Sequence, residues 1–415
     1  MTRMVFRHFS AILLLAFSCV AQVSPFPGAD WASLNDAGER AYERRQYEAA
    51  ERFFSSALQA AKPFGTDDLR LATTLNDLGL LYRAQGKFKQ AEPLYRQSLA
   101  IREKKLGPRD LQVATSLNNL AGLLAAEEQY VEAERLYRRA LEIRTTKLGK
   151  SDSQTATVLN NLAGMYSAEG KYDRAVPLFQ QALEIRESNL GPNHPQVANA
   201  LNNLAGVYTS EGQYEKAVPL YQRAIAIDEK IQGPEQTALT MGLSNLGALY
   251  FQQGNYDAAL PLYQRALDIR DKTLGPLHPL SGVSLQNLAG VYNAQKKYDL
   301  AEPLYKRALN IFQTSVGPDS SETGSVLDDL SSMYVADGKY SEAAPLFAQL
   351  VSVEEKVFGV YAPIVAETLP KYASVLRKLG RDAEAVRLDE RAQQIIAKSK
   401  VADRGKPNPA QPRTK

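Results

Sequence analysis

The chain has 415 residues, of which 44% are hydrophobic and 23% are charged, and its formal net charge is +3. The basic excess is concentrated at the ends, since segment 398–415 holds six lysines and arginines against one aspartate. The composition therefore supplies a sizeable core and excludes the broad basic face that nucleic acid requires.

Residues 1–21 have the pattern of an export signal. Arg3 and Arg7 precede an apolar run, 9–20, and Cys19-Val20-Ala21 is a small-x-small site that predicts cleavage before Gln22. We expect an exported protein, periplasmic or secreted. The absence of any Asn-x-Ser/Thr sequence favours a bacterial source. In the alternative, Cys19 is lipidated and the chain is a lipoprotein held at a membrane, although the residues before Cys19 fit that pattern less well.

A linker, 22–30, leads into a repeat with a period of 42 residues. The segment 118–122, Asn-Asn-Leu-Ala-Gly, returns unchanged at 160–164 and at 202–206. A period in this range indicates a solenoid of stacked supersecondary units. The predicted array covers 31–397 in nine units, near 31–66, 67–108, 109–150, 151–192, 193–234, 235–276, 277–318, 319–360 and 361–397.

Each unit reads as two amphipathic helices, which we call helix A and helix B. In the third unit, Val113, Leu117 and Leu120 recur at helical spacing, and a second apolar stripe begins near Tyr130. Helix B is predicted to end at a glycine in the left-handed conformation, followed by proline in most units. These pairs are Gly107-Pro108, Gly191-Pro192, Gly233-Pro234, Gly275-Pro276 and Gly317-Pro318.

The ninth unit is atypical. Pro370 lies in the middle of its helix A, and basic residues replace small neutral ones, which suits a terminal repeat that must be soluble. The segment 398–415 is predicted to be a disordered basic tail, because it has little apolar surface to bury.

The repeat resembles the tetratricopeptide (TPR) signature. In the fourth unit the matching residues are Leu159, Leu162-Ala163, Tyr166, Gly170, Tyr172, Ala175, Phe179 and Ala182. The period of 42, the Asn-Asn-Leu-Ala core and the Ala-Glu-Pro-Leu-Tyr run at 91–95 are similar to the TPR domain of kinesin light chains and its bacterial relatives. The resemblance implies an all-α, right-handed superhelix of about nine helix-turn-helix units. It also implies a concave groove, lined by the A helices, that holds peptides or proteins.

The candidate site is the set of asparagines beside the apolar stripe of helix A: Asn118, Asn119, Asn160, Asn161, Asn202, Asn203, Asn245 and Asn287. In the resembling family this face holds the backbone of the ligand. An amide both donates and accepts, so it can pair with the C=O and N–H of an extended peptide without reading its sequence. The alternative is a structural ladder in which each asparagine bonds to the adjacent helix. The two roles are compatible, since one side chain can serve both.

We therefore expect a scaffold that binds extended peptides or partner proteins. The alternative is an assembly or adaptor factor of a cell-surface or secretion complex that uses its convex face or its tail. No catalytic constellation, cofactor loop, metal site or small-molecule site stands out from the repeats, and an enzyme is the least expected class. His194 and His278 lie in equivalent loops, too far apart in sequence to share a metal.

Overall fold

The computed structural model describes residues 30–230 and 236–404, with the side chains of 236–237 and 399–404 left out. Within these ranges the chain forms eighteen α-helices and one short 3-10 helix, Lys62–Phe64, and no strand. The all-α prediction is confirmed. The signal segment, the Gly233-Pro234 stop and residues 405–415 lie outside the described residues. The last helix continues to Arg404, six residues past the predicted start of the tail at 398.

Contacts between residues divide the chain into two compact units. The first unit ends at Leu178 and the second begins at Phe179, so the boundary falls within a helix. The helices up to this boundary are α1 (Trp31–Glu43), α2 (Tyr47–Ala61), α3 (Leu69–Ala84), α4 (Phe88–Leu106), α5 (Leu111–Ala126), α6 (Tyr130–Leu148), α7 (Ser153–Ala168) and the start of α8 (Tyr172–Leu190). In this first unit, odd-numbered helices are the A helices and even-numbered helices are the B helices.

The second unit repeats the arrangement. Its helices after α8 are α9 (Pro195–Ser210), α10 (Tyr214–Asp228), α11 (Gln236–Gln252), α12 (Tyr256–Thr273), α13 (Pro279–Ala294), α14 (Tyr298–Ser315), α15 (Ser321–Ala336), α16 (Tyr340–Phe358), α17 (Pro363–Lys378) and α18 (Asp382–Arg404). Within each unit a helix A packs most extensively on the helix B that follows it, and each B helix packs on the next A helix.

Helix A begins at a side-chain cap in most repeats. Asp68, Asp110 and Asp152, spaced by 42 residues, accept hydrogen bonds from backbone N–H groups two residues on, at 2.8 to 2.9 Å. His194 and His278 occupy the same position and accept through Nδ1. These caps satisfy N–H groups that the helix itself leaves without partners. The two histidines are therefore helix caps.

The turns depend on residues with positive φ. The A-to-B turn has glycine in most repeats, such as Gly86 at φ 71°, but Arg45, Glu128 and Lys296 adopt the same conformation at φ 57° to 60°. At the end of helix B, Gly107 has φ 84° and ψ 158°. The predicted left-handed helical conformation of this glycine is correct in the sign of φ but wrong in ψ. The chain leaves the helix in an extended direction, which only glycine adopts readily at positive φ.

Proline recurs inside helix B without ending it, as Pro93 does in α4 and Pro345 in α16. Large aromatic side chains of the B helices fill the core. Tyr95 and Phe54 are buried in the first unit, and Tyr305, Phe312 and Phe347 in the second. Burial of such side chains against small residues of helix A is the main source of stability in a helical repeat.

Candidate functional site

Helix A places two neighbouring polar residues at the edge of its buried stripe. In α5, Leu117 and Leu120 are buried, while Asn118 and Asn119 between them are half-buried. The position of Asn118 and its equivalents at 42-residue steps is called here the first amide position, and that of Asn119 the second. The predicted site residues all lie at these two positions.

The structure joins these positions into a ladder between successive A helices of the first unit. The Nδ2 of Asn119 donates to Oδ1 of Asn76 at 2.9 Å, and the Nδ2 of Asn161 donates to Oδ1 of Asn118 at 3.0 Å. In each case the second amide position bonds to the first amide position of the preceding repeat. The hydrogen bonds expected of a structural ladder between adjacent helices are therefore present in this part of the array.

The same connection persists where the residues change. Asn35 donates to Asp77 Oδ2 at 3.1 Å at the start of the array. In the second unit, Gln286 donates to Asp329 Oδ2 at 2.7 Å. Burial raises the pKa of Asp77 and Asp329, and the hydrogen bonds from Asn35 and Gln286 oppose that shift. The position in the repeat therefore determines where the hydrogen bond forms, and different pairs of side chains can serve as its donor and acceptor.

The ladder does not use the full capacity of the amides. An amide has two N–H donors and an oxygen with two lone pairs, and the bond between Asn161 and Asn118 uses one of each. Space also exists beside it, because a Cβ built on Gly164 would meet nothing within 4 Å. A passing peptide can therefore find donors and acceptors along this edge while the ladder stays intact.

Asn202 is an exception that the sequence pattern conceals. It is only 3% exposed, and within the described ranges neither its Nδ2 nor its Oδ1 has a hydrogen-bond partner. Asn245, the residue that would continue the ladder from it, is half-buried. Of the remaining predicted residues, Asn160 and Asn287 are half-buried and Asn203 is exposed. The eight asparagines therefore share a register and differ in environment.

A second repeated position, on helix B, was not identified as functional from the sequence. Arg102 is buried, and its Nη1 donates to Ser116 Oγ at 2.8 Å. Arg270, four repeats on, donates to Ser284 Oγ at 2.6 Å and to the carbonyl oxygen of Leu280 at 3.2 Å. Burial lowers the pKa of both arginines. This position, called here the arginine position, fastens helix B to the helix A that follows.

Two repeats carry a carboxylate at the arginine position, Asp228 and Glu354. Asp228 is 1% exposed, neither of its oxygens has a hydrogen-bond partner among the residues that the structure describes, and burial raises its pKa to about 6. The signal that could have located these residues is the break in the 42-residue series Arg102, Arg144, Arg186.

The described residues contain no group of three or more histidine, cysteine, aspartate or glutamate side chains arranged to hold a metal. Among the helices described, none is long and apolar enough to cross a membrane.

The sequence profile of the tetratricopeptide repeat matches residues 32–104, 70–146, 112–188, 154–230, 236–314 and 284–356. These overlapping matches cover most of the chain. The chain belongs to the tetratricopeptide repeat family. Its helical pairs, packed in succession within each unit, are those of a TPR solenoid, and TPR chains are protein-interaction scaffolds.

Solved structures of similar fold include other TPR proteins. BtubC (BKLC) from P. vanneervenii is 23% identical over 59% of this chain and 95% of its own, with a TM-score of 0.48. A putative kinesin light chain from Podosopora anserina with nearly identical TPR-like repeats is 26% identical over 50% of this chain and 98% of its own, with a TM-score of 0.44. The apo form of RapI is 16% identical over 68% of this chain and 97% of its own, with a TM-score of 0.51. No curated protein matches the chain.

Proposed function

We propose that this TPR protein binds extended peptides or extended segments of partner proteins along the exposed edge of its A helices. The observation that carries the proposal is the repeated pair of amide positions, whose side chains keep donors and acceptors beyond those used in the ladder. Their spacing by repeats suits a ligand that runs across several A helices in succession.

The chemistry of this edge favours backbone recognition. Amides carry no charge, so they contribute hydrogen bonds without selecting strongly among side chains. A bound strand would gain several such bonds, each contributing about 0.5–1.5 kcal/mol net. Selectivity must then come from other parts of the same face.

The test compares two baits, each with three amide-to-alanine substitutions. The groove bait carries Asn161→Ala, Asn203→Ala and Asn245→Ala in residues 22–415. The matched control carries Gln181→Ala, Gln222→Ala and Gln394→Ala, three exposed amides on B helices. Both must match the native chain in helical circular dichroism.

We expect the control bait to capture the same proteins as the native chain, and the groove bait to lose at least tenfold in recovery. Equal recovery by the groove bait and the control would contradict the proposal. The search would then move to the B-helix surface, where Val131 is 88% exposed, or to the tail.

We further propose that the protein is exported, on the support of the basic head and apolar run in 1–21. The mass of the chain isolated from its native host tests this, since we expect a mature form that begins at Gln22. A full-length chain in the cytoplasm would contradict it.

A further inference from the structure

A pocket of about 300 Å³ lies between α15, α16 and α17, within the second unit. Leu350, Val353 and Phe358 of α16 form apolar walls, and Glu354 and Thr368 supply polar groups. Asp328 and Lys371 also line it, and they occupy the first and second amide positions of their repeats. The pocket therefore adjoins the edge proposed to bind ligands.

The carboxylate of Glu354 is incompletely paired. The side chain is 5% exposed, and its Oε1 accepts a hydrogen bond from Thr368 Oγ1 at 2.8 Å. Its Oε2 has no hydrogen-bond partner in the part of the chain that the structure describes. A buried carboxylate oxygen without a partner carries a large desolvation penalty, so a donor that reached it would be bound favourably.

The repeat register shows which donor the site is shaped for. Glu354 stands at the arginine position, where Arg102 and Arg270 place a guanidinium. Those guanidinium groups donate to a hydroxyl fourteen residues later, on Ser116 and Ser284. Thr368 keeps that hydroxyl fourteen residues after Glu354. This repeat therefore keeps the hydroxyl that accepts the hydrogen bond of the guanidinium. In place of the guanidinium it has a carboxylate, which is itself an acceptor.

The backbone carbonyl that accepts another hydrogen bond from the arginine is retained as well. Arg102, Arg144 and Arg270 each donate to a backbone carbonyl ten residues later. In this repeat the corresponding carbonyl belongs to Ile364, which lines the pocket. Any polypeptide has a carbonyl there, so what distinguishes this repeat is the exchange of its own cation for a carboxylate.

The charges around the pocket favour a cation. Asp328, Glu354 and Glu367 contribute three carboxylates, and Lys371 contributes the one ammonium group among the lining residues that the structure describes. That ammonium is held by Asp328 Oδ1 at 3.1 Å at the rim and is half-exposed. Lys371 interacts with Glu354 only through its charge, since its ammonium is paired with Asp328, and the described residues give Glu354 no ion pair of its own.

We propose that this pocket binds the guanidinium of an arginine side chain carried by the bound polypeptide, with Glu354 as its carboxylate partner. The inference rests on the proposed function, because the arginine belongs to a ligand that lies along the A helices. A planar guanidinium can pair with a carboxylate in a forked geometry that an ammonium cannot reproduce. The apolar walls suit the alkyl stem of the same side chain.

The test uses fluorescein-labelled Ala-Ala-Arg-Ala-Ala and two relatives in which citrulline or lysine replaces arginine. Citrulline has nearly the same shape as arginine without its charge. Fluorescence anisotropy with the mature chain, residues 22–415, is expected to give at least tenfold tighter binding of the arginine peptide than of either relative. Equal binding of the citrulline peptide would overturn the proposal, and equal binding of the lysine peptide would overturn the assignment of a guanidinium.

Variants locate the site. Glu354→Gln should weaken the arginine peptide at least tenfold, whereas Glu322→Gln, an exposed glutamate of α15 outside the pocket, should leave its affinity unchanged. Glu354→Arg introduces the residue that four other repeats have at this position, Arg102, Arg144, Arg186 and Arg270. It should raise Tm and abolish binding, because the chain then fills the pocket itself. Retained affinity in both Glu354 variants would overturn the proposal even if one of them folds poorly.

The peptide-binding function and the arginine pocket can be disproved independently of each other. The bait with Asn161, Asn203 and Asn245 replaced by alanine should bind the arginine peptide as the native chain does. Loss of protein capture with no selective binding of the arginine peptide would overturn the pocket alone. Selective binding of the peptide with asparagine-independent capture would overturn the proposed function alone.

Discussion

Identical residues in one register have different environments in this protein. Asn118 belongs to a hydrogen-bonded ladder, while Asn202, two repeats later, is buried and has no hydrogen-bond partner in the described structure. The difference lies in the neighbouring repeat, because an amide bonds only where the adjacent helix brings a second polar group within reach. A repeated residue is therefore a candidate for a shared role, and its contacts decide whether it has that role.

Asp228 gives a prediction at this scale. Its carboxylate has no hydrogen-bond partner among the described residues, and its pKa is raised from 3.8 to about 6 because burial disfavours the charged form. A raised pKa means that the folded state binds the proton more tightly than the unfolded state. Stability from this group is therefore present at low pH and is lost as pH rises from about 4 to about 6.

Asp228→Asn removes this penalty. We expect the substitution to raise the free energy of unfolding by about 1–3 kcal/mol at pH 7.5 and by little at pH 4. Thermal denaturation at both pH values measures the difference, with the exposed Asp299→Asn as the control. A gain that is equal at both pH values, or a loss at pH 7.5, would contradict this account of Asp228.

The sequence was most informative about the helices and the turns between them. The 3.6-residue apolar stripes and the glycines at turns predicted two helices per repeat, and the structure has them. Three turns nevertheless carry Arg45, Glu128 and Lys296 at positive φ, where most repeats have glycine. Packing of the flanking helices fixes the turn, so it overrides the local preference of the residue.

Lys296 and Lys297 provide a matched pair. Both are exposed, but Lys296 has φ 59° while Lys297 has φ −89°. Lys296→Gly should raise stability by about 0.5–1 kcal/mol, because relief of the left-handed strain exceeds the entropy that glycine adds to the unfolded chain. Lys297→Gly has no strain to relieve and should lower stability. Tm values of the two variants in parallel test this, and a common sign for both would contradict it.

At the level of the whole molecule, the period of 42 residues was enough to predict the repeat architecture and the helical class. It was enough to place the asparagines at equivalent positions of successive A helices within each unit, since a fixed register puts equivalent residues on equivalent surfaces. The period could not predict the unpaired state of Asn202 or the pocket at Glu354. Both depend on the atoms that lie opposite a side chain, which a pattern within one repeat does not contain.

The central claim is that ligands bind along the A-helix edge and not on the exposed surface of the B helices. The most direct measurement places the photo-crosslinking residue benzoylphenylalanine at position 203 or at position 222 of the chain. Asn203 lies on α9 and Gln222 on α10 of the same repeat, and both are exposed. The account predicts that a captured partner is crosslinked from position 203 and not from position 222. Crosslinks from position 222 alone would contradict it.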